Sequence, residues 1–191
     1  MTKFDRHGLC LAVACCLGVP LLQACGPLTV RDAQTGAWVP IQAAAFEVHR
    51  DIAIPSGRAR TFFQNGKQVS HINEFKSFCQ LEISTLQEHV QTVHPDRFTV
   101  TRVGRSMEEI VKARTVMLAA LDGFALGESS DDSGGPTRIT QMFRFHLHSD
   151  RQPDVRSISC GGAFDDPADA DAPTVQEIAA DLGDYATLVL Q

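Results

Sequence analysis

The stretch "FRFHLHS", residues 143 to 149, carries the residue types best suited to chemistry in this chain. On a strand, Phe143, Phe145 and Leu147 turn to one face while Arg144, His146 and His148 share the other. Two imidazoles at i and i+2 can ligate one metal ion, as in many zinc and copper sites. A third ligand would have to come from His49, His71, His89 or His94, because no Cys or Glu stands beside the pair at ligand spacing. The competing reading is a polar strand face whose histidines bind nothing, and it is the favoured one.

Other constellations are weaker. Asp165, Asp166, Asp169 and Asp171 place four carboxylates within seven residues, but an EF-hand loop needs glycine at its sixth place and glutamate at its twelfth. Neither is present, so this stretch reads as a solvated loop, as do Asp131 and Asp132. "GRSME", 104 to 108, has glutamate where a nucleophile elbow needs its second glycine, and neither H-E-x-x-H nor a P-loop occurs. No catalytic residue is assigned and no cofactor is expected.

These residues need a frame, and the patterning supplies a β-rich one. "FEVH" from Phe46 alternates, "IPSG" at 54 to 57 is a turn, and Asn65-Gly66 stands between two β-prone runs as a hairpin signal. "CQLEIST" from Cys79 and "RFTVTRVG" from Arg97 alternate as half-buried strands, the second setting Phe98, Val100 and Arg102 against Thr99, Thr101 and Val103. Residues 106–123 fit a capped helix through Ser106 and Glu109 or a long strand; the strand is favoured, paired with 138–149 through the loop "GESSDDSGGP". Ile72, Phe75 and Phe78 share helical spacing and predict a short helix over 71–78. Thr174 and Glu177 form a capping box that opens a second helix over 174–182, and 185–190 is a terminal strand. The fold class expected is mainly β, a single antiparallel domain, sandwich-like or a twisted sheet, with two short helices.

The first residues determine location. Lys3 and Arg6 precede an apolar run from Gly8 to Leu22, the order of an export signal. As a helix those fifteen residues reach about 22 Å, short of the roughly 30 Å hydrocarbon core. Leu22-Gln23-Ala24-Cys25 resembles the lipobox of bacterial lipoproteins. That resemblance implies cleavage before Cys25, diacylglycerol on its sulfur and often a further acyl chain on its new amino group. Two or more acyl chains hold firmly where one does not, so Cys25 becomes the contact with the bilayer. In Gram-negative members Asp after the cysteine favours the inner membrane; here Gly26 follows, which implies the outer membrane. The mature layout, with a mid-chain Cys, "HPDRFTVTRV", a late "SCGG", a capped helix and a last strand, is similar to envelope lipoproteins of proteobacteria without assigned chemistry.

The expected organisation is a signal peptide at 1–24, an anchor and short tether at 25–44, and a β-rich periplasmic domain at 45–191. Of six cysteines, Cys10, Cys15 and Cys16 leave with the leader and Cys25 is taken by lipid, so Cys79 and Cys160 remain. In an oxidising compartment such a pair reads as a disulfide, with two separate thiols as the alternative. The net charge of −6 and the lack of any basic stripe exclude nucleic acid as a partner class. The function expected is a membrane-anchored envelope lipoprotein, no enzyme, acting through contacts with other envelope proteins; the alternative is a periplasmic metal-binding protein using His146 and His148.

Overall fold

A computed structural model describes residues 28–110 and 137–190. Their strands run in order as β1 (Thr29–Arg31), β2 (Trp38–Pro40), β3 (Ala43–Val48), β4 (Ile52–Ile54), β5 (Arg60–Gln64), β6 (Lys67–Val69) and β7 (Phe78–Ile83). There follow β8 (Gln91–Val93), β9 (Asp96–Ile110), β10 (Arg138–His148), β11 (Val155–Gly161), helix α1 (Val175–Leu182) and β12 (Ala186–Leu190). The expected mainly β, antiparallel class is what the described residues adopt, as a curled eight-stranded sheet with two small sheets and one helix.

Eight strands form that sheet in the order β12-β3-β9-β10-β11-β7-β5-β6. Alternation decides its two faces. Phe46, Phe98, Phe143, Phe145, Leu81, Ile158 and Phe63 turn to one side and are fully buried. Helix α1 closes that side with Ile178 and Leu182, and the small sheets β1-β2 and β4-β8 add Val30, Ile52, Ile54 and Val93. In the middle of this core Cys79 lies opposite Cys160 across the β7/β11 ladder, and the two are joined as a disulfide.

The hairpin signal at Asn65-Gly66 is realised: both residues have positive φ, 50° and 70°, and Gln64 pairs with Lys67 across the turn. Thr174 caps α1 as expected, its hydroxyl accepting from the Glu177 amide while the Glu177 carboxylate accepts from the Thr174 amide.

Three expectations change. Residues 71–78 form a turn, because Gln64 captures their backbone: its Oε1 accepts from Asn73 N–H at 2.8 Å and its Nε2 donates to the carbonyls of Asn73 (3.0 Å) and Ser77 (2.9 Å). Asn73 Oδ1 then accepts from Phe75 N–H, an alternative to helical bonding that Asn side chains favour. Phe78 begins β7 and Phe75 is left 70% exposed, so α1 is the one α-helix among the described residues.

The strand favoured for 106–123 is realised over 106–110 and paired with 138–149 as expected; what changes is that it is continuous with 97–104 as one strand, β9. It pairs along nearly its whole length with β10, from Arg138 opposite Ile110 to His148 opposite Thr99. The rest of the 106–123 segment and residues 127–136, expected as its connecting loop, lie outside the described residues, as do the expected signal peptide at 1–24, Cys25, Asp131 and Asp132.

Residues 29–40 form the β1-β2 hairpin built into the domain and Ala43 already opens β3, so 28–44 do not form a loose tether. Val30 is 0% and Ile41 2% exposed in the main core, and the Gln176 side chain of α1 bonds Ala33 N–H and the Asp32 carboxylate.

Candidate functional site

The second face of the sheet buries a small apolar cluster of Phe78, Met142 and Phe164 at one end and is polar beyond it, where it positions the histidines. Directly opposed residues of antiparallel strands point to the same side. The ladders therefore set Gly104, Arg144, Ser159 and Gln80 in one row, and Arg102, His146, Ser157, Glu82 and Arg60 in the next. Ser157, Ser159 and Gln80 are buried at the floor of this face, while Arg102 stands exposed. The curl of the sheet lets Gln80 Nε2 of β7 donate to Glu108 Oε1 of β9 at 3.1 Å.

A one-residue slip builds the arrangement. His146 faces Arg102 and Leu147 faces Val100, so Thr101 is the extra residue of a bulge in β9. Strict alternation would send Arg102 to the core side with Phe98 and Val100. The bulge turns Arg102 outward instead, and it is Val103 that joins Val100 against the core. Arg102 Nη2 then lies 2.8 Å from His146 Nε2. A guanidinium can only donate, so Nε2 accepts and the ring is neutral. Arg144 Nε donates to Ser159 Oγ at 3.1 Å, and Arg156 meets the Glu82 carboxylate at 3.7 Å. Burial, then the charges of Arg102, Arg144 and Arg156, hold the His146 imidazole below its ordinary pKa, with Glu82 opposing them.

His148 shares this strand face but is exposed and holds Asp150 Oδ1 at 3.2 Å. The other histidines are spread out: His49 bonds Thr187, His71 bonds Ser70, His94 bonds Asp51, and His89 stands in an exposed loop. Among the described residues no three His, Cys, Asp or Glu side chains converge. With a guanidinium on the His146 lone pair and two more nearby, the electrostatics of this face favour an anion over a cation.

The acidic loop is divided. Asp165, Asp169 and Asp171 border a hollow of about 320 Å³ with Arg31, Trp38 and Glu177, whereas Asp166 folds the loop itself by accepting from Ala168 N–H. Arg102, Arg156, Glu82 and Gly104 were not singled out by sequence reasoning. The available signal was the adjacent polar pair Thr101-Arg102 between Val100 and Val103, which breaks the period of two.

The chain matches no family model, no curated protein and no solved structure.

Proposed function

We propose that this protein is an export-processed lipoprotein whose β domain is held at the periplasmic face of a bacterial membrane, the outer membrane being favoured, by acylated Cys25. There it acts through contacts with other envelope proteins. The observation that carries this reading is the order of the first residues: basic Lys3 and Arg6, an apolar run too short to span, then Leu22-Gln23-Ala24-Cys25. The Cys79–Cys160 disulfide supports an oxidising compartment. Only Gly26 and Pro27 separate Cys25 from Leu28, at most about 10 Å of extended chain, and Thr29 already opens β1. An anchor at Cys25 would hold the folded domain close against the bilayer.

A Cys25→Ser variant tests the anchor. It is expected to lose labelling by a palmitate analogue and to retain its leader; normal processing with normal labelling would overturn the reading. Crosslinking in intact cells, followed by mass spectrometry of the captured proteins, tests the contacts. Capture of only bulk abundant proteins, unchanged when Cys25 is replaced, would count against them.

A further inference from the structure

The structure points to a ligand site on the polar face that the proposed anchoring does not involve. Gly104 sits on β9 directly opposite Arg144, with Arg102 and Ser106 as its nearest neighbours on the same side of the strand. A Cβ built on Gly104 would meet no atom within 4 Å, so the glycine leaves a notch beside Arg144. Each wall of the notch offers hydrogen-bond donors. Arg102 is exposed and, among the described residues, its side chain bonds His146 alone. Arg144 is half-buried, bonds Ser159 through Nε, and meets no carboxylate among the described residues.

Charge on this face runs against that of the whole chain. Arg60, Arg102, Arg144 and Arg156 face Glu82 and Glu108. Both carboxylates are already engaged: Glu82 by Arg156 and the Ser157 hydroxyl, Glu108 by the Gln80 amide. Among the described residues Arg60, Arg102 and Arg144 thus form no ion pair, in a protein of net charge −6. The planar fork of a guanidinium matches the paired oxygens of a phosphate or carboxylate, and such charge-assisted bonds are about twice as strong as neutral ones.

We propose that the notch over Gly104 binds an oxyanion, a phosphate or carboxylate group, gripped by Arg102 and Arg144. The glycine is the specificity element, because any side chain there would occupy the anion's place.

The test titrates the full chain in detergent with sodium phosphate and, separately, sodium succinate. Ionic strength is held constant with chloride, and binding is followed by calorimetry and by the shift in Tm. Saturable binding of at least one anion is expected, phosphate alone marking a phosphoryl ligand and succinate alone a carboxylate one. Arg144→Gln should weaken it by about tenfold or more. Gly104→Val should abolish it without lowering the Tm of the free protein, since valine suits a strand and fills open space. The proposal is overturned if neither anion binds saturably, or if Arg144→Gln and Gly104→Val bind as tightly as the unaltered protein.

Discussion

Gly183 and Gly66 meet backbone to backbone: a Cβ built on Gly183 would lie 2.5 Å from the Gly66 Cα, inside any real contact distance. The contact joins the C-cap of α1 to the β5–β6 turn. It is continued by Asp181, whose carboxylate accepts from Asn65 N–H at 2.9 Å and whose carbonyl accepts from Gly66 N–H at 3.2 Å. Gly183 also has φ of 52°, where an L side chain is strained. Gly183→Ala is therefore expected to lower stability by about 1–3 kcal/mol, read as a shift in the urea midpoint with unchanged m-value. A midpoint within error of the unaltered protein would show that the turn can slide away from the helix.

The disulfide is the second determinant of stability. Cys79 and Cys160 are both buried, so their loss combines a freed loop of about 80 residues with altered packing at the centre of the core. Cys79→Ala/Cys160→Ala is expected to cost about 2–5 kcal/mol in denaturant unfolding, and reductant should move the unaltered protein in the same direction. Protein purified without reductant, unfolded and treated with iodoacetamide should gain no label at either residue. Full labelling there would mean two free thiols.

The polar face makes a prediction about protonation. His146 accepts from Arg102 and titrates below its ordinary value, so its neutral form is favoured in the folded state. Its contribution to stability is present above about pH 6.5 and is lost as pH falls through the lowered value. Arg102→Gln should raise the His146 pKa, measured from imidazole shifts in an NMR titration. A His146 curve identical in both proteins would remove Arg102 from this role.

How much of this was legible in the sequence depends on which interactions set each element. The Asn65-Gly66 turn and the Thr174–Glu177 box are local devices, and both were readable from four residues or fewer. The short helix expected at 71–78 failed because Gln64, outside the window, captures Asn73 and Ser77. Periodicity cannot register a side chain that replaces backbone bonds from a neighbouring strand. Alternation groups Arg102 with Phe98 and Val100 because it assumes an unbroken ladder, and the bulge at Thr101 breaks it. The candidate site was thus half legible: the strand spacing of Arg144 and His146 was readable, whereas the arginines and the glycine beside them depend on register between strands.

Asp181 should respond to pH in the opposite sense to a paired carboxylate. Burial raises its pKa, the Asn65 amide and Ser77 hydroxyl oppose the rise, and the charge of Glu177 adds to it. One oxygen, Oδ2, has no hydrogen-bond partner among the described residues. A raised acid contributes stability that is full below about pH 3.8 and is lost as pH rises through the folded value. Asp181→Asn keeps an acceptor for Asn65 and carries no charge, so it should be more stable than the unaltered protein at pH 7 and lose that advantage by pH 3. Equal unfolding free energies at pH 7 would mean that the carboxylate is solvated.

Asp96 is the contrasting case. Burial opposes its ionisation, but the Ser149 hydroxyl (2.7 Å), the Gln152 amide (3.2 Å), Arg97 N–H and the Arg151 guanidinium outweigh it and hold the carboxyl at about 2. A lowered acid contributes stability that is present above about pH 3.8 and lost as pH falls through about 2. Arg151 is itself largely exposed, so solvent screens that pair and reduces its share. Asp96→Asn is accordingly expected to cost about 1–2 kcal/mol at pH 7 and progressively less toward pH 2. The Ser149 and Gln152 donors lose their ionised acceptor in this variant, and the turns that enter β9 and leave β10 loosen together. Unfolding curves at pH 7, 4 and 2.5 check the slope. A cost that stays constant across all three would assign Asp96 a role in packing, with no part played by its charge.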